Sequence, residues 1–161
     1  DPPPPMIGDF YGGGVVFYLD GNGGGLIAAP TDQTSSPWGC EGTPISGADG
    51  TAIGTGAQNT IDIESGCTTT GTAADICANL TLGGYTDWFL PSKDELYLMY
   101  TNRTTINTTA TANGGSNLLD TRYWSSSEQE ASKTWSNNFL NGNPLPDNKY
   151  NSNAVRALRA F

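Results

Sequence analysis

The chain has 161 residues, enough for one domain with a substantial core. Only 14% are charged, the net charge is −9 and the seven basic residues are scattered, so no nucleic-acid partner is expected. No apolar run approaches the roughly 18 residues of a membrane span, and histidine is absent, which excludes Ser-His and Cys-His nucleophile pairs.

The chain opens Asp-Pro-Pro-Pro-Pro, and four prolines in a row favour a stiff polyproline II spacer. Residues 1–6 therefore read as a linker from a preceding stalk or fibre domain, and residues 7–161 as the domain itself. Val15 to Leu19 is a β-branched and aromatic run of strand length. A turn-forming Asp20-Gly-Asn-Gly-Gly-Gly25 and a second apolar run, Leu26 to Ala29, complete a hairpin signal. Asp20 and Asn22 share the spacing of a calcium loop, but the third ligand and the distal Glu are missing, so the hairpin reading is preferred.

Pro30 to Thr55 is rich in turn residues, with Trp38 the one side chain large enough to pin it. Two short helices are expected between Ala57 and Leu80, with Ile61 on the first and Ala73, Ala74, Ile76, Cys77 and Leu80 on the second. Trp88-Phe89-Leu90 reads as a short buried strand stopped by Pro91. Ser92 and Glu95 then form a capping box that opens a helix with Leu96, Met99 and Tyr100 inward. Thr101 to Asn117 is Thr/Asn-rich and without period, the pattern of a long exposed loop. Asn79, Asn102 and Asn107 each begin an Asn-x-Thr sequon.

Three strands close the chain: Tyr123 to Ser126, Thr134 to Phe139 and Ala154 to Phe161. The last alternates so that one face is buried, and at least one of its two arginines is expected to pair with Asp87, Asp94 or Glu128. Cys67 and Cys77 lie ten apart around a turn, a separation suited to a small disulfide loop; the alternative is three reduced, buried thiols including Cys40. Without histidine or Cys-x-x-Cys spacing there is no metal site, and no cofactor is expected. Carboxylates are the remaining catalytic option, but acidic residues flanking a capped helix serve the cap, so no enzyme is expected.

Tyr123 to Phe161 mixes two kinds of position. Bulky anchors in strand-like runs alternate with polar residues that follow no apolar period, as on a fixed scaffold that carries a chemically mixed surface. The combination of GDFYGGGVVFYLDGNGGGLIAA, GGYTDWFLPSKDEL, YWSSSE and the terminal VRALRAF resembles a bacterial and phage family of unnamed domains with a C-type-lectin-type fold, related to the formylglycine-generating-enzyme architecture. The resemblance runs from Ile7 to Phe161. It implies an α+β fold of mixed small sheets, two or three short helices and long loops, with the N- and C-terminal strands paired so that VVFYL lies beside AVRALRAF.

Members of that family are similar to the variable proteins of diversity-generating retroelements, which hold a scaffold constant and vary ligand contacts. By position, Trp88, Tyr123, Trp124, Ser125, Ser126, Trp135, Phe139, Gly142, Val155, Arg156 and Arg159 match the scaffold. Gln129, Glu130, Ser132, Lys133, Ser136, Asn138, Leu140, Pro144, Leu145, Asp147, Tyr150, Ser152 and Ala154 fall where ligand contacts sit. The calcium-dependent sugar motifs of animal lectins are absent, as are the paired catalytic cysteines of the sulfatase-modifying relatives. The expectation is an extracellular, cell-surface or virion-surface module, an adhesin tip or phage receptor-binding domain that recognises a protein or glycan without calcium. The alternative is a structural subunit or cap of a surface fibre.

Overall fold

The computed structural model describes residues 2–161. Its elements in chain order are β1 (Phe10–Tyr11), β2 (Gly14–Leu19), β3 (Gly25–Ala28), β4 (Gln33–Pro37), α1 (Gly56–Gly66), α2 (Ala73–Ala78), α3 (Lys93–Thr101), α4 (Arg103–Ala112), β5 (Arg122–Glu130), β6 (Lys133–Asn138), β7 (Asn143–Asn148), β8 (Ser152–Val155) and β9 (Leu158–Ala160). They build two small sheets, ordered β1-β2-β3-β9 and β4-β8-β5-β6-β7, with four short helices. The fold is α+β, as the sequence indicates, with four helices among the described residues where two or three were expected.

Period-two geometry explains how one chain covers both faces of these sheets. Val15, Phe17, Leu26, Tyr123, Ala154 and Leu158 belong to one buried cluster, with Phe89, Leu96, Met99, Ile106 and Phe139. Their neighbours Val16, Ile27, Trp124, Val155 and Ala157 belong to the other, with Trp38, Ile63 and Trp88. Strands buried on both sides read as continuous apolar runs, which is why VVFYL shows no alternation. Between β2 and β3 the Asp20 carboxylate accepts the N–H groups of Asn22 and Gly24 at 2.7 and 3.0 Å, so it closes the hairpin turn.

Helices α1 and α2 form where expected, although the core residue of α1 is Ile63 while Ile61 is 58% exposed. The capping box of α3 is complete: Ser92 Oγ accepts the Glu95 N–H and Glu95 Oε1 accepts the Ser92 N–H at 2.8 Å. Glu95 is wholly buried, and burial raises its carboxyl pKa against the opposing bonds from Ser92, Gly54 and Gly56.

Several expectations need correction. Thr101 to Asn117 is mostly helix α4, not a loop. Only Ile106 and Ala110, one turn apart, anchor it to the core, and the Thr108 and Thr111 hydroxyls donate to carbonyls one turn back. VVFYL does not lie beside the C-terminal strand: β3 intervenes, pairing with β2 on one side and β9 on the other, so the N- and C-terminal strands share one sheet without pairing directly. Trp88-Phe89-Leu90 is buried but contributes a single bridge, Phe89 to Leu158, in place of a strand.

The run AVRALRAF is not one strand with one buried face. It leaves the second sheet as β8, crosses at Arg156-Ala157 and enters the first as β9, buried throughout from Ala154 to Arg159. The crossing is held by the Arg156 guanidinium, which donates to Asp32 Oδ1 at 2.7 Å and to the carbonyls of Ala29, Ser116 and Asn117. Arg159 does meet Asp87, one of the three expected carboxylates, and lies 3.7 Å from the Tyr85 ring centroid.

The disulfide is also different: Cys40 bonds Cys67, and Cys77 is a free, buried thiol whose pKa burial pushes up. Cys77 lies on the inward face of α2, among the core side chains. Cys67 leaves the end of α1 toward the loop that Trp38 pins. There Gly39 adopts φ +94, and a Cβ at that position would sit 2.4 Å from Thr72 Cγ2 and 3.6 Å from Cys67 Sγ. Only glycine brings the loop close enough for Cys40 to reach across.

Candidate functional site

The five-stranded sheet divides the predicted contact residues between its two ends. β5 and β6 join through Ala131-Ser132, and β7 and β8 through Lys149–Asn151, at one end of the sheet, because Lys133 pairs with both Glu130 and Asn148. Gln129, Glu130, Ser132, Lys133, Tyr150 and Ser152 gather there, with Tyr150 69% exposed. Asn138, Leu140 and Pro144 lie at the opposite end, around the β6–β7 tip, about 17 Å away over five residues of strand. Leu145 is half-buried between them.

Three predicted contact positions lie inside. Ser136 is buried and its hydroxyl donates to the Leu145 carbonyl at 2.9 Å, and Ala154 is buried in the core. Asp147 is 8% exposed and anchors its own turn. Burial pushes its carboxyl up, but the amides of Asn153 and Asn151, the Asn148 N–H and Arg122 together hold it below the usual range.

The scaffold positions find buried partners. Trp124 Nε1 donates to the Ser36 carbonyl at 2.8 Å, and the Tyr123 hydroxyl donates to the Asp32 carboxylate that also holds Arg156. Burial and the Asp32 charge raise the Tyr123 pKa. Phe139 packs against Tyr123 with the rings tilted by 38° and their centroids 4.6 Å apart. Trp135 is half-buried, with Lys93 Nζ 3.9 Å above its ring centroid.

Lys149, which has no motif around it, is the hub of the first end. Its side chain is 0% exposed, bonds Glu128 Oε2 at 2.7 Å and the Thr43 carbonyl at 3.1 Å, and stands 4.6 Å from the Trp38 ring centroid. Its backbone accepts from Trp38 and Gly39 and donates to Ser132. One residue thus ties the disulfide loop to both turns. Only its tertiary surroundings distinguish this lysine from a solvated one.

At the other end, the β6–β7 tip and α3 enclose a groove of about 440 Å³. Lys93, Asp94 and Tyr97 line it from the helix, and Asn141, Asn143 and Pro144 from the tip. Tyr97 is 49% and Leu140 67% exposed. Asparagine side chains fix the tip: the Leu140 N–H donates to Asn138 Oδ1, the Asn143 N–H to Asn141 Oδ1, and Asn137 Nδ2 to the Gly142 carbonyl. Gly142 has φ +80, and a Cβ there would lie 2.3 Å from Tyr100 Cε2, so the tip rests directly on α3. The sequence pattern missed the α3 half of this groove. Its one available sign is Tyr97, an aromatic off the inward stripe of Leu96 and Met99.

The sheet edge beside this groove is β7, with Pro144 and Pro146. They are two residues apart, so both missing N–H groups fall on the same side, the free edge, while the register to β6 runs unbroken from Asn148 to Asn143. That edge offers a poor template for another strand.

Among the described residues, no group of three or more Cys, Asp or Glu side chains is placed to hold a metal ion, and no helix is long and apolar enough to cross a membrane. Among curated proteins none matches the sequence. The solved structure of a fimbrial protein from Bacteroides ovatus matches with a TM-score of 0.65 at 15% identity, covering 85% of this chain and 36% of that one. This chain therefore spans about a third of that protein's length, and at that identity the likeness establishes the fold alone. The family model described as the Lcl C-terminal domain matches residues 35–159, from β4 to β9. The chain belongs to the Lcl C-terminal domain family, a C-type-lectin-like family.

Proposed function

We propose that the domain is a non-catalytic, adhesin-type surface module that binds a protein or glycan ligand at the groove between α3 and the β6–β7 tip. The observation that carries the reading is the groove itself: a concave site with an exposed tyrosine, side-chain amides and a carboxylate. Tyr97 supplies apolar contact area in the groove, and the exposed Leu140, next to Asn141 on the tip, extends it beyond the rim; Asn141, Asn143 and Asp94 supply hydrogen bonds to hydroxyls or amides. The tip is held by its own asparagines before any ligand arrives, which lowers the ordering cost of binding. No ligand-bound metal enters this mode, so binding is calcium-independent.

The exposed positions at the far end, Gln129, Glu130, Lys133, Tyr150 and Ser152, form a second polar face that tolerates variation of the kind seen in retroelement-varied proteins. The setting is a cell or virion surface. The fimbrial fold neighbour supports that setting. The test is binding of the domain and of a variant with Tyr97, Leu140, Asn141 and Asn143 changed to alanine to immobilised glycan and extracellular-protein arrays.

A second reading, a structural fibre subunit, draws on one observation: Met6, Ile7, Phe10, Tyr11 and Leu19 are each 39–64% exposed near the β1 edge. Sedimentation across a concentration series separates the two, since a fibre subunit self-associates through such a surface and an adhesin tip stays monomeric.

A further inference from the structure

Helix α1 carries Ala57, Thr60, Ile61, Glu64 and Ser65 along one stripe, at helical intervals of three and four. The stripe borders a groove of about 510 Å³, lined also by Trp88 and Phe89 and by Ala78 of α2. That volume is in the range of small-molecule pockets, about 300–1,000 Å³. The lining is mostly apolar, and Ile61 is left 58% exposed.

The groove's charge is unbalanced. Of its two acidic side chains, Asp87 is engaged by Arg159, whereas Glu64 forms no ion pair among the described residues. Glu64 faces Asp75 of α2, whose carboxylate accepts the Gly71 N–H at 2.7 Å and the Asn79 amide at 2.8 Å. The nearby Cys77 thiol is buried and neutral, and none of the ion pairs among the described residues engages Glu64.

We propose that this groove is a separate ligand site for a small organic amine, whose apolar body packs on Ile61, Trp88 and Phe89 while its ammonium group meets Glu64. The site shares no lining residue with the α3–tip groove, so it stands or falls independently of the surface-binding role. Burial, then the hydrogen bond and the charge of Asp75, push the Glu64 carboxyl up to about 7. A bound cation offsets the like-charge contact, and the proton on Glu64 leaves to solvent as the amine binds. Binding is therefore pH-dependent: the ionised fraction of a group titrating at about 7 falls about tenfold from pH 8 to pH 6.

The experiment titrates the domain with 2-phenylethylamine and, as its uncharged counterpart, 2-phenylethanol, following amide shifts by NMR at pH 8 and pH 6. Expected are shifts confined to residues 57–65, 78 and 87–89, at least about tenfold tighter binding of the amine at pH 8, and about a tenfold loss of that affinity at pH 6. Glu64→Gln reduces amine affinity about tenfold and removes its pH dependence. Ala57→Leu, an exposed helical position where a longer side chain enters the groove, weakens both compounds and keeps the fold. Equal affinity for amine and alcohol, an unchanged affinity in Glu64→Gln, shifts elsewhere, or no binding at ~20 mM would each overturn the proposal.

Discussion

Lys149→Met is the sharpest perturbation available to the frame. Lysine and methionine have similar volume, so the change removes a charge with little loss of packing. The wild-type ammonium is wholly buried, 2.7 Å from Glu128, and Glu128 is itself only 10% exposed. Without the lysine, Glu128 keeps the Ile45 N–H at 2.8 Å but has no cation, and the Thr43 carbonyl loses its donor. Leaving one partner of a buried pair uncompensated costs about 3–5 kcal/mol, against about 0–1 kcal/mol for an exposed pair. For a chain of this length that is a fall in Tm of roughly 6–20 °C. Urea unfolding followed by fluorescence reports it directly, since Trp38 stands over the lysine. The double variant Lys149→Met/Glu128→Gln restores part of the loss, because no unpaired charge remains inside. A single-variant cost below about 1 kcal/mol, or strictly additive costs in the double variant, would refute the assignment of Lys149 as the hub.

Other outcomes follow from the same geometry. Cys67→Ser opens a 27-residue loop and costs about 3.5 kcal/mol in denaturant unfolding, while thiol titration of the native wild type finds Cys77 unreactive until the protein unfolds. Gly142→Ala forces a Cβ against Tyr100 at φ +80 and costs about 1–3 kcal/mol, with NMR shifts centred on the β6–β7 tip. The folded-state pKa values of Asp87 and Asp147 are held low, so their stabilisation is complete above the unfolded carboxylate range near 4 and disappears as pH falls through the folded values; Asp147→Asn flattens that acid limb of the stability curve. Glu64 has the opposite sign: its raised pKa costs stability that grows from about pH 4.5 to about pH 7, so Glu64→Gln gains on the wild type at pH 8 and not at pH 4.

What the sequence revealed depended on whether the signal was local. The β2–β3 hairpin, the Ser92–Glu95 capping box and the Trp38 pin were legible because turn residues, a four-residue cap and a lone large aromatic act over short stretches. Helix α4 was hidden because threonine is a poor helix former and only Ile106 and Ala110 mark the inward face; its stability comes from packing. β7 was missed because Pro144 and Pro146 argue against a central strand and are tolerated only at a free edge. Cys40 was passed over because its partner is set by the close approach at Gly39, which no spacing reports.

The expected contact positions fall on one sheet but not on one exposed face. Polar positions without apolar period located the β5–β8 segment, but Asp147 and Ser136 turned out to be buried and hydrogen-bonded. The two turn ends separate by strand length, and the groove at one of them is completed by Tyr97 from a helix about forty residues earlier. Contacts so distant in sequence are set by topology alone.

The most direct test of the surface-binding account is the array experiment with the wild type beside the Tyr97/Leu140/Asn141/Asn143 alanine variant, both checked for native unfolding curves. Retention of specific ligands by the wild type, unaffected by a calcium chelator and reduced at least tenfold in the variant, is the predicted result. Equal retention by the two folded proteins, or loss of binding on chelation alone, would contradict it.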